Sequence, residues 1–576
     1  MQPLRTCTLI VLLILLTACG SLWGTPGPLV YAPTVMLVAP PDSTETSTPF
    51  QPLGATPSTT PTPPPTALLP LPIPSIPSPG TASLWISPVV PDALRQSALA
   101  SGLSFASAPE NATVLLDINL QSSIENRQSV WIYALVAPFP TLMDGVSADD
   151  LRRVWGGEPA GPFAGQPLWM TESTLAAFSA KWGAPGLGSV RTAPADQLLD
   201  AAWGEEPAWG IVPFESLEPR WKVLSIDGKS PIHKDFDQAS YPLVVNFSLQ
   251  PSSFTPSASL RASLPPSNRD PSKLTTLVMT GVTALVRATA FRMEQRGVTY
   301  PGRDIGAILR NADLTHISNE VPFVKGCPYP DPNQPTLIFC SDPRYIALLE
   351  YVGTDIVELT GNHFQDYGSE ATLYTLELYK QRDWQYYGGG ADLQDASKAI
   401  TLEHYGNKLA FIGCNPAGPP GAWATEMRPG AAPCNYDWMH MEIARLRAEG
   451  YLPIVTFQYY ENYTPIPTDK QESTFRGMAD AGALIVNGSQ AHLPQAMEFY
   501  DSAFIHYGLG NLFFDQMDTP VTGTRREFID RHIFYAGKYI STELLTTMLE
   551  DYARPRPMTA SERMQFLQDI FSASGW

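Results

Sequence analysis

Leu359-Thr360-Gly361-Asn362-His363-Phe364-Gln365-Asp366-Tyr367-Gly368 is the stretch on which the reading of this chain turns. It follows a short apolar run, Asp355-Ile356-Val357-Glu358, and precedes a helical pattern that begins near Ser369. The Asn-His pair therefore falls on a strand-to-helix turn, at the carboxyl edge of a sheet, where ligands of open α/β sheets sit. A carboxylate follows three residues later. Imidazole, amide and carboxylate are the groups that bind divalent metals and move protons.

The same alternation extends outward from this turn. From Lys273 to about Arg556, short apolar strands at Leu277-Val278-Met279, Leu409-Ala410-Phe411-Ile412, Ile454-Val455-Thr456-Phe457 and Ala483-Leu484-Ile485-Val486 alternate with amphipathic helices such as Trp438–Arg447. Ile400–Glu403 and Lys408–Ile412 flank a Gly406-Asn407 turn and predict a hairpin. Gly388-Gly389-Gly390 reads as a flexible turn. The loops after the strands carry polar groups in order: Ser318-Asn319-Glu320, Asn362-His363 with Asp366, Gln458 with Glu461, Gly488-Ser489-Gln490-Ala491-His492, and Gly508-Leu509-Gly510-Asn511 with Asp515. His233, His316, His404, His440, His506 and His532 fall outside these loops and read as surface or satisfied core residues. Residues 81–250 show a second alternation of strands and helices, so the fold class is α/β throughout. Residues 251–271, rich in Ser and Pro, read as a linker between the two regions, and 557–576 as a C-terminal helical tail.

At 576 residues the chain is too long for one core, and its 44% apolar content suffices for several. The formal charge is −19, from 37 basic and 56 acidic residues. That balance argues against nucleic acid or anionic headgroups as electrostatic partners and favours neutral, cationic or metal-bridged ligands. Arg5, the apolar run Leu9–Leu16 and then Leu16-Thr17-Ala18-Cys19 look like a bacterial lipoprotein signal over residues 1–19, with Cys19 as the lipidated residue and the protein anchored outside the cytoplasm. Residues 20–80 read as a disordered, extended tether. Seventeen of the 57 prolines fall between 25 and 80, where the only charges are Asp42 and Glu45. Cys327, Cys340, Cys414 and Cys434 remain. Pairing by nearness gives Cys327–Cys340 and Cys414–Cys434; a zinc site and free thiols are the rivals, and the spacings match no zinc motif.

Taken together, the ordered loops from about Leu277 to Ala553 resemble the CapA family, the poly-gamma-glutamate capsule biosynthesis proteins, whose fold is like that of calcineurin-type metallophosphatases. The sharpest pieces are Asn362–Gly368 and Gly508-Leu509-Gly510-Asn511-Leu512-Phe513-Phe514-Asp515. Residues 81–250 resemble phosphate-type periplasmic binding proteins, through Ala134–Phe139, Val146–Gly157 and Ala208–Phe214. The expectation is therefore a periplasmic-binding-like α/β domain at 81–250, followed at 272–556 by a CapA-like, metallophosphatase-like α/β sandwich.

What the CapA resemblance implies for the site is carried over position by position. The family's Gly-Asp becomes Gly281-Val282, so a metal-binding carboxylate is lost. Asn-Leu-Glu becomes Ser318-Asn319-Glu320, keeping Glu320. Asn-Asn-His becomes Gly361-Asn362-His363, keeping the last two. His-Trp-Gly-x-Glu becomes Gln458-Tyr459-Tyr460-Glu461, and Gly-His-His-Pro-His becomes Gly488-Ser489-Gln490-Ala491-His492, keeping Glu461 and His492. Glu320, Asn362, His363 and His492 are thus the expected ligands of a divalent metal (Mn, Fe or Zn), with Glu320, Asn362 and His363 as the catalytic set. Glu461 and Asn511 are the expected substrate contacts. A binuclear centre needs an anionic bridge and several imidazoles, which this set lacks. Two functions follow as expectations. One is an envelope lipoprotein that makes, attaches or processes an extracellular polymer, acting as a metallophosphatase-like hydrolase where active. The other is a non-catalytic protein with a degraded metal site that captures a small anion or polymer.

Overall fold

The computed structural model describes residues 83–119, 129–252 and 264–576. The expected signal, Cys19 and the tether lie outside the described residues, as does most of the expected linker.

The first region is built on one ten-stranded mixed sheet. Its spine is Ser129–Pro138, buried along almost its whole length, as its run of Val, Ile, Leu and aromatic residues requires. Val244–Pro251 and Trp209–Pro213 flank it antiparallel. Helices Ala148–Trp155 and Glu172–Trp182 start on hydroxyl caps. Ser147 accepts from the Asp150 N–H and Thr171 from the Thr174 N–H. Their apolar faces bring Trp155, Phe178 and Trp182 together, and Phe178 in turn meets Tyr133 of the spine edge-on at 5.1 Å. Residues 264–270, within the stretch read as a linker, lie against this sheet. Leu264 is buried, and the Asn268 amide bonds both the N–H and the C=O of Ile132 at 2.8 Å.

The second region has four layers. In one sheet Gln385–Tyr387, Ile356–Glu358, Leu314–Asn319 and Leu274–Thr280 run parallel, and Arg526–Tyr535, Lys538–Glu550 and Arg554–Pro557 continue it antiparallel. In the other, Asn407–Cys414, Leu452–Gln458, Ile485–Ser489 and Ala503–His506 run parallel, edged by the Ile400–His404 and Met497–Tyr500 hairpin strands. Alternate side chains of each strand serve different cores. Leu277, Met279 and Ile356 face Leu409, Phe411, Ile454 and Ile485 between the sheets. Val278, Ile317 and Val357 face outward to helices such as Gly368–Lys380. Ala410, Ile412 and Val455 face Tyr436–Ala448 and Asp469–Asp480. This is the α/β sandwich the strand pattern predicts.

Helix Ala560–Ala573, read as a tail, is a core element. A capping box of Thr559 and Glu562 starts it. Phe566, Leu567, Ile570 and Phe571 are buried against the inter-sheet core, and Phe139 from the end of the first region's spine strand joins them. Phe139 packs on Phe499 at 5.0 Å and Trp576 at 5.8 Å. Ion pairs Arg563–Asp144, Lys222–Asp144 and His233–Glu543 surround this seam. Among the described residues, no helix is long and apolar enough to cross a membrane.

Candidate functional site

Parallel strands of both sheets end on the same side of the sandwich, and their carboxyl ends bring the polar loops together. Glu320 follows Leu314–Asn319 and is anchored by its N–H donating to the Thr283 carbonyl at 2.9 Å. Gly361 lies directly on it. A Cβ there would stand 2.7 Å from Glu320 Cα, so glycine is what lets the Asn362-His363 turn approach. His363 Nε2 then lies 4.0 Å from the Glu320 carboxylate, and its Nδ1 lies 2.7 Å from Asp366. The same Asp366 oxygen accepts the Phe339 N–H at 2.7 Å. Asp366 therefore braces both the imidazole and the loop closed by the Cys327–Cys340 disulfide. Burial opposes charge on the His363 ring. The Asp366 hydrogen bond and the facing Glu320 outweigh it and raise the pKa.

On the opposite wall, at the ends of Leu452–Gln458 and Ile485–Ser489, the buried polar side chains of Gln458, Ser489 and Gln490 form a chain that reaches Asn362 of the first wall. Ser489 Oγ donates to Gln458 Oε1 at 2.9 Å. Gln458 Nε2 donates to Asn362 Oδ1 at 3.1 Å and to Gln490 Oε1. His492 Nδ1 meets Asn511 Oδ1 at 2.9 Å, while the Asn511 amide nitrogen reaches the His492 and Thr524 carbonyls at 3.3 Å. Asn511 is fully buried, so it orients His492 and does not face a substrate as the sequence reading expects. Glu461 is exposed at the rim, where its carboxylate accepts from Tyr463 Oη.

A layer of rings and one guanidinium links the two walls. His363 packs on Phe339 at 4.7 Å. Arg287 lies 5.2 Å over Phe339 and 5.1 Å over Phe514. Phe514 stacks on His492 at 5.1 Å, and His492 on Tyr463 at 6.3 Å. Arg287 is fixed by Asp515, which also accepts the Ala288 N–H at 3.0 Å. Sequence reasoning missed Arg287, Phe339 and Phe514, because no local spacing connects Arg287 with Asp515, 228 residues on. Three non-glycine residues of this layer and the amide wall hold positive φ: Arg287 at 44°, Gln490 at 80° and His492 at 54°. Such strain persists where surroundings over-determine the backbone, as at ligand sites.

The residues present do not fit the metal implied by the sequence. Among the described residues no group of three or more His, Cys, Asp or Glu is placed to hold a metal ion, so Glu320, His363 and His492 do not form one. Val282, fully buried, stands where the resemblance has a metal-binding carboxylate. Gln458 and Ser489, which replace imidazoles of the resembled family, satisfy each other and Asn362, and amide oxygens and hydroxyls are poor donors to a transition metal.

Around the cleft, Cys327–Cys340 and Cys414–Cys434 are both disulfide-bonded, as pairing by nearness expects. Gly389–Gly390, read as a flexible turn, is a strand paired with Gly430–Ala431. A Cβ on Gly389 would stand 2.6 Å from the Leu359 carbonyl, so this is close packing beneath the site. His316, His506 and His532, read as surface or satisfied, are buried, each with one ring nitrogen lacking a hydrogen-bond partner among the described residues.

Known proteins share parts of this chain. It is 28% identical over 260 residues to the capsule biosynthesis protein CapA of Bacillus anthracis, covering 44% of this chain and 62% of that protein. It is 26% identical over 226 residues to the PGA biosynthesis protein CapA of Bacillus subtilis (strain 168), covering 39% of this chain and 59% of that protein. The chain thus spans about six-tenths of the length of these curated relatives. Similar solved structures include a 5'-nucleotidase precursor from Thermus thermophilus, at TM-score 0.31 and 15% identity, covering 52% of this chain and 59% of that one. An ABC-type phosphate transport receptor from Vibrio cholerae matches at TM-score 0.25 and 11% identity, covering 30% and 88%. Residues 276–516, the span that builds both walls of the cleft, match the model of the bacterial capsule synthesis protein PGA_cap.

Proposed function

We propose that this chain is an envelope component of capsule synthesis that binds an extracellular polymer, poly-gamma-glutamate or a related chain, in the cleft between Glu320 and Gln490. The observation that carries this reading is the amide wall of Asn362, Gln458, Ser489 and Gln490, hydrogen-bonded side chain to side chain where hydrolytic chemistry would need metal ligands. The match of residues 276–516 to a capsule synthesis model supports the polymer. The Leu16-Thr17-Ala18-Cys19 sequence supports anchoring through a lipid on Cys19, with residues 20–80 as tether. The first region, fixed to the sandwich at Phe139, serves as a second contact surface for polymer or a small anion.

Binding is tested by titrating the purified chain with poly-gamma-glutamate in a calorimeter. No heat with this polymer or with other capsule polymers defeats the proposal. A second reading, hydrolysis, is favoured by one observation: His363 is held between Asp366 and Glu320, an arrangement suited to moving a proton. Shortening of the polymer on incubation, lost in His363→Ala, would establish that reading instead.

A further inference from the structure

The polar atoms of the cleft that lack a protein partner define a ligand. Gln490 is nine-tenths buried, and its Oε1 accepts from Gln458. Its Nε2 has no hydrogen-bond partner among the described residues. Asn362, half-buried, has its Oδ1 taken by Gln458, and its amide nitrogen has no hydrogen-bond partner among the described residues. The amide wall therefore offers N–H donors. Beside the Asn362-His363 turn, Glu320 is 3% exposed, and its carboxylate stands 4.0 Å from His363 Nε2, beyond direct hydrogen-bond contact. That wall offers acceptors.

Charge decides between an anionic and a neutral group. Glu320, Asp366, Glu461 and Asp515 surround the cleft against Arg287 and the His363 ring, so the cleft is net negative whichever state the ring is in. Arg287 is also spent on Asp515 and covered by Phe339 and Phe514. A carboxylate entering here meets repulsion, whereas a neutral amide matches both walls. Its C=O accepts from Asn362 and Gln490, and its N–H donates to Glu320. A buried site built to hydrogen-bond a group discriminates strongly against a ligand that leaves its groups unpaired.

We infer that the cleft reads the neutral amide linkage of an amide-linked polymer, by hydrogen bonds alone and without a metal ion, leaving the polymer's free carboxylates outside. This rests on the polymer-binding reading above and adds which part of the chain is read.

The test titrates the full chain with a γ-linked glutamyl oligomer and with the same oligomer whose free carboxyls have been converted to amides. Each titration is run with EDTA, with added MnCl2 or ZnCl2, and at low and high NaCl. The amidated oligomer should bind at least as tightly as the acidic one. Affinity should change less than about threefold between about 0.1 and 0.5 M salt, since no net charge is neutralised. EDTA should have no effect. Gln490→Ala and the isosteric Asn362→Asp, which replaces a donor with an acceptor, should each weaken binding about tenfold or more. Melting curves report whether each variant folds, and Asn362→Asp keeps the test open where Gln490→Ala does not fold. Binding of the acidic oligomer alone, binding that needs added metal, or unchanged binding by folded Asn362→Asp overturns the inference and leaves the polymer reading standing. Binding of neither oligomer overturns the inference, and the polymer reading falls with it when no other capsule polymer binds either.

Discussion

Asp366 Oδ2 accepts two hydrogen bonds at once, one 2.7 Å from His363 Nδ1 and one 2.7 Å from the Phe339 backbone N–H. One carboxylate oxygen thus ties the ring at the centre of the cleft to the disulfide-closed loop beside it. Asp366→Ala should cost about 1.5–3 kcal/mol of stability, the range for hydrogen bonds to a charged group, and should weaken the proposed polymer binding as His363 loses its orientation. Urea unfolding and calorimetry on the same variant check both effects. Unaltered affinity would show that the ring's setting is irrelevant to binding.

The Cys327–Cys340 disulfide, with a sequence separation of 13, holds Phe339 against His363. Replacing both cysteines by serine should lower stability by about 3 kcal/mol, as expected from the entropy of a loop of this size. Loss of the Cys414–Cys434 link, separation 20, should cost a similar amount. Thermal melts with and without reductant measure the sum, and thiol titration of the unreduced protein should find none of these four cysteines free.

Stability should fall in mild acid. Burial pushes the His316 imidazole down to about 3 and the His532 imidazole down to about 4. Unfolded histidine takes up a proton near pH 6.5, and the folded rings do not. Their contribution is therefore complete above about pH 6.5 and is lost as pH falls toward those lower values. Burial raises the Glu527 carboxyl, whose contribution is present at low pH and lost as pH rises, so it opposes the trend. His532→Gln isolates the imidazole: its urea midpoint should drop less between pH 7 and pH 5 than that of the unaltered chain, Glu527 being common to both. Equal drops would refute the assignment.

Phe139→Ala should be among the most destabilising single changes, at about 3–5 kcal/mol for a buried phenylalanine. The ring is 2% exposed and touches Phe499, Phe504, Phe571 and Trp576, all from the second region. Differential scanning calorimetry should show one transition for the unaltered chain and two for the variant. A single transition at unchanged temperature would mean the seam contributes nothing.

The strands and the sandwich were legible because their apolar runs alternate between two cores: Leu277 and Val278 are neighbours in sequence and face different layers. The Asn362-His363 turn was legible because its polar groups are consecutive. Gln458 and Ser489 were read as losses, since a side chain's new partner lies on another strand. Only the register of Phe457 with Gly488 and Gln458 with Ser489 places the amides side by side. Asn511 was misread for the same reason: a buried amide that orients a histidine and one that meets a substrate look alike in sequence. Helix Ala560–Ala573 was read as a tail because its amphipathic pattern does not name the surface that covers it.

Arg563 and Asp144 pair across 419 residues, and Phe139 closes on Phe571 beside them. Contacts of such separation form late, because the intervening chain must first be ordered. During vectorial synthesis, the aromatic face around Phe139 emerges long before the helix that buries it. The first region therefore passes through a period as a half-finished, sticky intermediate, and a chain stalled or clipped before residue 560 would leave that face open to aggregation or to capture by holdase chaperones.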